Sequence, residues 1–123
     1  MTKVLVVEDS DNARAALVTY LQRLGCCVKS AATGKDAIAL GKDFRPDVLI
    51  CDWILDGPCD GVRVAENLMA SIVRPEVIFI TAMPLEHLRK RCEPMEVKAF
   101  LAKPIDLKVL GLLVDAIRPS NRG

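Results

Sequence analysis

The sequence predicts an α/β domain: a five-stranded parallel sheet, doubly wound with helices on both faces, in a (βα)5 arrangement. Three observations carry this. Short β-branched or continuously apolar runs alternate with stretches of helical periodicity along the whole chain. Two of the apolar runs, Val48-Leu49-Ile50-Cys51 and Val77-Ile78-Phe79-Ile80, show no polar alternation, which marks strands buried on both faces. The links are short, so successive strands are joined by right-handed helical crossovers.

The elements follow in order. Lys3–Val7 is a β-branched run that ends in Glu8-Asp9. Ala13, Ala16, Leu17, Tyr20, Leu21 and Leu24 recur at helical spacing, and Gly25 stops that helix. Val28–Ala31 is a weak strand, and Gly34–Asp43 is a helix of small residues around Ala37, Ile38 and Leu40. Val48–Cys51 is bounded by Pro46-Asp47 and Asp52. Val62–Ile72 carries Ala65, Leu68, Met69 and Ile72 on one face. Val77–Ile80 is closed by Thr81, Leu85–Cys92 is a short polar helix, Val97–Ala102 is a strand, and Ile105–Ile117 is the last helix. Residues 1–118 form one domain and Pro119–Gly123 a polar tail.

Composition excludes several functions. The 123 residues suit a single core, and a 51% hydrophobic content with a net charge of +1 excludes a disordered chain. Seventeen basic against 16 acidic residues leave no electrostatic footprint for nucleic acid. The longest nearly apolar stretch, Val109–Val114, is far short of the roughly 20 residues that span a bilayer. The first apolar run is too short for a signal peptide. The five cysteines match no zinc spacing and read as reduced thiols, which points to the cytoplasm.

In an open parallel sheet, the working edge lies at the carboxyl ends of the strands. Strand one delivers Glu8 and Asp9 there, strand three Asp52, strand four Thr81 and Ala82, and strand five Lys103-Pro104. Each has a bland alternative. Asp9 or Ser10 would cap a helix, Asp52 would be a loop acid, Thr81 a strand end and Lys103 a solvated turn. Their joint occurrence at four strand ends is what the bland alternatives leave unexplained. Three neighbouring carboxylates raise one another's pKa unless a cation intervenes, and one lysine cannot balance them. An oxygen-ligated Mg²⁺ can. Asp52, at the centre, then suits nucleophilic attack on phosphorus to form an acyl phosphate. Mg²⁺ would take one phosphoryl oxygen, the Lys103 ammonium another, and the Thr81 hydroxyl or the Ala82 N–H a third.

On Val4–Asp9, Val48–Asp52, Ile78–Ala82 and Lys103-Pro104, the chain resembles the response-regulator receiver domains of two-component signalling, close to chemotaxis receivers. The resemblance implies a flavodoxin-like fold. It implies that Asp52 accepts a phosphoryl group from a phosphohistidine on a sensor histidine kinase or a histidine phosphotransfer protein. It implies Mg²⁺ held by Glu8, Asp9, Asp52 and the Ile54 carbonyl, with Thr81 and Lys103 on the phosphoryl group. It implies a switch in which Thr81 moves and Phe100, three residues before the lysine, turns inward. The alternative for Phe100 is half-buried packing. Output would pass through the fourth helix, fifth strand and fifth helix to a downstream protein or to an effector domain outside this sequence.

Three departures from the family pattern stand out. The loop after Asp52 carries one extra residue: Asp56 stands where proline is usual, Gly57-Pro58 makes its own turn, and Asp60-Gly61 comes one place late, with Asp60 capping the next helix. Ile54 and Met83 are apolar where a polar side chain would hold an attacking water, which points to a slowly hydrolysing phospho-form. The fourth predicted helix is basic through His87-Leu88-Arg89-Lys90-Arg91, a solvated face or a contact for an acidic partner. The apolar residues of the last helix are broader than one core stripe needs, leaving a face for a homodimer or a partner. Two other functions compete: a degenerate receiver that signals by binding alone, and an Asp-nucleophile, Mg²⁺-dependent phosphatase. The phosphatase class wants a second acid two residues after the nucleophile, where this chain has Ile54. No glycine-rich phosphate loop supports a nucleotide-binding module. The expectation is a signalling domain without enzymatic turnover beyond its own phosphotransfer and dephosphorylation.

Overall fold

A computed structural model describes residues 1–55, 60–70, 74–82 and 96–117. The strands are β1 (Lys3–Val7), β2 (Cys27–Ala31), β3 (Val48–Asp52), β4 (Glu76–Thr81) and β5 (Ala99–Ala102). The helices are α1 (Asp11–Arg23), α2 (Gly34–Phe44), α3 (Gly61–Met69) and α4 (Leu107–Ala116). The predicted helix Leu85–Cys92, with its basic stretch, and the positions Asp56, Met83 and Pro119–Gly123 lie outside the described residues.

All five strands are parallel, in the order β2-β1-β3-β4-β5. The connection reverses direction between β1 and β3, which opens a crevice at their carboxyl ends. The two faces of the sheet bury alternate residues of each strand. Leu5, Val7, Leu49, Cys51, Val77 and Phe79 meet Ala37, Phe44, Ala65 and Leu68 of α2 and α3. Val4, Val6, Val48, Ile50, Ile78 and Ile80 meet Leu17, Leu21, Leu110 and Val114 of α1 and α4. Both faces are covered, which is why β1, β3 and β4 read as unbroken apolar runs.

Each helix starts where a side-chain oxygen caps it. Ser10 accepts from the Ala13 N–H, Thr33 from Asp36, Asp60 from Arg63, and Asp106 from Lys108 and Val109. The Asp60 cap is as expected from the sequence. The last helix starts at Leu107 rather than Ile105, because Asp106 provides the cap. α1 ends before Gly25, whose φ of 91° is a conformation that favours glycine. Strand β5 starts two residues later than expected, at Ala99.

The opposite end of the sheet is closed by Asp47, which the sequence offered only as a boundary residue. Its carboxylate accepts from the Lys3 N–H at 2.8 Å, its own N–H donates to the Lys3 carbonyl, and its carbonyl accepts from Glu76. Asp47 thus ties the starts of β1, β3 and β4 together, at the edge away from the crevice. Among the described residues, no helix is long and apolar enough to cross a membrane.

Candidate functional site

The strand register brings the predicted residues to one edge. Val7 pairs with Cys51, Asp52 with Ile80, and Thr81 with Ala102. The next residues along β1 and β5, Glu8 and Lys103, therefore reach the same crevice as Asp52. Asp52 is the last residue of β3 and is 6% exposed, while Glu8 and Thr81 are each 1% exposed.

Lys103 bridges the two buried acids. Its Nζ lies 2.9 Å from Glu8 Oε1 and 2.7 Å from Asp52 Oδ2. The remaining carboxylate oxygens accept backbone N–H groups: Glu8 Oε2 from Ser10 at 3.2 Å and Asp52 Oδ1 from Ile54 at 3.2 Å. Burial disfavours the Lys103 ammonium, but hydrogen bonds to Asp52 and Glu8 outweigh it and hold its pKa above the ordinary lysine value. The Lys103 N–H donates to the Thr81 carbonyl at 2.8 Å, which fixes the base of the lysine against β4. The Lys103-Pro104 peptide is cis.

Asp9 completes the cluster. Carboxylate oxygens of Glu8, Asp9 and Asp52 lie within 4.8 Å of one another. The half-buried Asp9 carboxylate has no hydrogen bond or ion pair among the described residues, so three acids share one ammonium. An all-oxygen donor set with an uncompensated carboxylate fits a hard divalent cation such as Mg²⁺. Ile54 stands at the rim, 56% exposed.

Next to Asp52 in the chain, Trp53 opens a set of packed aromatic rings. Trp53 meets Phe79 edge to face at 5.2 Å, and Phe79 stacks on Phe100 at 5.9 Å. Phe100 is half-buried and belongs to this packing, and Ala82 is exposed at the end of β4. The sequence singled out neither Phe79 nor Trp53, because nothing in a run of apolar residues says which of them stack on one another.

Gly61 packs where a side chain cannot. A Cβ there would lie 2.2 Å from the Asp52 carbonyl oxygen and 3.0 Å from that of Trp53, and the Gly61 N–H donates to the Trp53 carbonyl. Gly61→Ala is expected to cost about 1–3 kcal/mol as the backbone at Asp52 is pushed aside. Urea unfolding checks this, and wild-type stability in the variant would refute it.

The structure thus gathers Glu8, Asp9, Asp52 and Lys103 into one cluster, and Thr81 ends β4 at the same edge of the sheet. Arg14 also reaches this region, where it donates to the Glu8 carbonyl at 2.9 Å; its only mark in the sequence is its place one turn into α1.

Comparison with known proteins agrees. Residues 4–115 match the response regulator receiver domain family. A cyclic di-GMP phosphodiesterase of Thermotoga maritima is 32% identical over 111 residues, covering 90% of this chain and 29% of that protein. The signal receiver domain of a modulated diguanylate cyclase from Desulfovibrio desulfuricans G20 is 31% identical, with a TM-score of 0.84 over 95% of this chain and 93% of that one. The receiver domain of a Pseudomonas aeruginosa PAO1 sensor histidine kinase is 25% identical, with a TM-score of 0.82 over 94% and 96% of the two chains. That structure holds a magnesium ion coordinated in its active-site cleft. The chain spans 24 to 36% of the length of the first curated relatives it matches. By the family match along nearly its full length, and by the strand-end pocket that accompanies it, the chain belongs to the response regulator receiver domain family of two-component signal transduction.

Proposed function

We propose that this chain is a phosphoacceptor. Asp52 takes a phosphoryl group from a phosphohistidine on a sensor histidine kinase or a histidine phosphotransfer protein, and the chain has no turnover beyond its own phosphotransfer and dephosphorylation. The observation that carries the reading is the Asp52 carboxylate itself, buried at the end of the central strand with Lys103 on one oxygen and the Ile54 N–H on the other.

In the transfer, a carboxylate oxygen of Asp52 forms a bond to phosphorus as the P–N bond of phosphohistidine breaks. The electron pair of that bond leaves with the imidazole nitrogen, which later takes a proton from water. Lys103, the Thr81 hydroxyl and the Ala82 N–H hold the phosphoryl oxygens. Glu8, Asp9, Asp52 and the Ile54 carbonyl would hold Mg²⁺, which supplies neutralisation of the acidic pocket and of the incoming charge. Thr81 and Phe100 then form the switch, with Phe100 leaving its present stack on Phe79 and changing the face around β5 and α4 that a downstream partner or effector domain reads. The cytoplasm is the proposed location.

An apolar groove of about 300 Å³ opens directly beside Lys103 and Glu8, lined by Ala13, Ala16, Leu17, Pro104, Ile105 and Leu107. It supports docking of a helix of the phosphodonor against α1. The test of the whole reading is mass spectrometry after incubation with acetyl phosphate and Mg²⁺, where a gain of one phosphoryl group is expected. No gain with any donor would favour a receiver that signals by binding alone.

Two further outcomes follow from side chains at the rim. Ile54 offers no hydrogen bond to hold a hydrolytic water, so the phospho-form is expected to lose phosphate slowly. Ile54→Asn should shorten its lifetime in a phosphate-release assay, and an unchanged lifetime would refute this. On α4, Leu107, Val109 and Leu112 are exposed, Leu112 at 71%. A homodimer through this face would give a concentration-dependent sedimentation coefficient that Leu112→Glu abolishes, and a monomer in both phosphorylation states would exclude it.

A further inference from the structure

The least expected contact at the edge of the pocket is made by Arg14. We propose that Arg14 is a positioning residue that sets the affinity of the acidic pocket for a divalent cation, by holding the backbone of Glu8 from α1. The proposal rests on reading the pocket as a Mg²⁺ site.

The geometry begins where the sheet ends. Val7 is the last residue of β1 to pair with β3, opposite Cys51. One residue further, the Glu8 N–H still donates to the Ala31 carbonyl of β2 at 3.2 Å. The Glu8 carbonyl has passed the end of the ladder and is buried with the rest of that residue, which is 1% exposed. Such a carbonyl needs a donor from elsewhere. Arg14 Nη1 supplies it at 2.9 Å, while Nη2 pairs with Asp11 at 2.6 Å. Asp11 is 87% exposed, so its pair with Nη2 is a weak surface contact, and Nη1 is held chiefly by the buried Glu8 carbonyl.

Every polar group of Glu8 is thereby engaged. Its N–H is held by β2, its carbonyl by Arg14, and its carboxylate by Lys103 and the Ser10 N–H. The peptide whose carbonyl Arg14 holds is the one that joins Glu8 to Asp9. Rotation of that peptide would swing the Asp9 side chain out of the cluster of three acids. Arg14 touches no carboxylate of the cluster and neutralises none, so its effect on a cation is exerted through orientation. Groups that orient metal ligands in this way commonly change affinity by 10- to 100-fold when removed.

The experiment uses Trp53, the single tryptophan, which follows Asp52 in the chain and is 4% exposed. Its fluorescence is titrated with Mg²⁺ in the wild type and in Arg14→Ala, Arg14→Lys and Asp11→Asn, with urea unfolding of each. Arg14→Ala is expected to bind Mg²⁺ about 10-fold more weakly. Arg14→Lys, which keeps one donor within reach of the carbonyl, should recover most of the loss. Asp11→Asn should stay within about threefold of the wild type, because the contact to the Glu8 carbonyl remains. If Arg14→Ala does not fold, Arg14→Lys and Arg14→Gln carry the comparison, with Gln the weaker binder. Equal Mg²⁺ affinity in wild type and Arg14→Ala would overturn the proposal alone, as would a loss in Asp11→Asn as large as in Arg14→Ala. No Mg²⁺ response in the wild type would overturn the reading of the pocket and this proposal with it.

Discussion

Asp52→Asn is expected to remove the phosphoryl gain from acetyl phosphate completely, with the fold intact. The carboxamide is close to the carboxylate in shape, so it can still accept the Ile54 N–H through its oxygen. It has no anionic oxygen to attack phosphorus, and an amide is too poor a nucleophile to replace it. Stability should change little, by about 1 kcal/mol or less. The substitution removes one of the two Lys103 contacts, because the amide NH₂ then faces the ammonium, but it also removes one of three like charges within 4.8 Å. The measurement pairs mass spectrometry with urea unfolding. A variant that still gains a phosphoryl group at the wild-type rate would mean that another side chain is the acceptor.

The place of Asp52 at the edge of the sheet is legible in the sequence for a physical reason. A strand buried on both faces is an unbroken apolar run, so the first polar residue after it marks the sheet edge. Asp52, Glu8-Asp9 and Thr81 were legible in this way because β1, β3 and β4 are the three central strands. The edge strands were harder. β2, with the sequence Cys-Val-Lys-Ser-Ala, exposes Lys29 and Ser30 and so carries no continuous apolar signal, while β5 is apolar but only four residues long, and the sequence places its start two residues early. Lys103 was placed by its position before Pro104 and its spacing from Thr81, and the structure puts it between two acids.

What the sequence could not show was which backbone groups the site depends on. Nothing in Gly61 distinguishes a turn glycine from one pressed against the Asp52 carbonyl. Arg14 looked like an ordinary helix residue, because its partner is a main-chain oxygen and leaves no trace in side-chain pattern. The same holds for Asp47, whose buried carboxylate accepts a backbone N–H from β1. Outside a helix cap, where the capping residue marks its own place, pairing of a side chain with a distant backbone group leaves no such trace.

Lys103→Met is the second large effect, and it should act in opposite directions on two measurements. Without the ammonium, Glu8 and Asp52 remain buried as neighbouring like charges. Unfolding free energy without Mg²⁺ should therefore fall, by about 1–2 kcal/mol after allowing for a lysine side chain one-third exposed to water. Mg²⁺ should bind more tightly, because the competing cation is gone and the carboxylates it held are released. Phosphoryl gain should nevertheless slow by about 10²–10³-fold, the usual consequence of losing a donor aimed at charge that develops in transfer. The pH dependence gives an independent check on the stability arm. The Lys103 pKa is raised on folding, so its contribution is fully present below the unfolded value of about 10.4 and is lost as pH rises through the folded one. Wild-type and Lys103→Met unfolding curves should thus be separated from neutral pH to about pH 9 and converge in stronger alkali. Tighter Mg²⁺ binding together with slower loading is the signature that separates a lysine acting on the phosphoryl group from one that merely balances the acids. If loading instead kept pace with the improved metal affinity, Lys103 would be a counter-ion alone, and transition-state stabilisation would have to come from Thr81 and the Ala82 N–H.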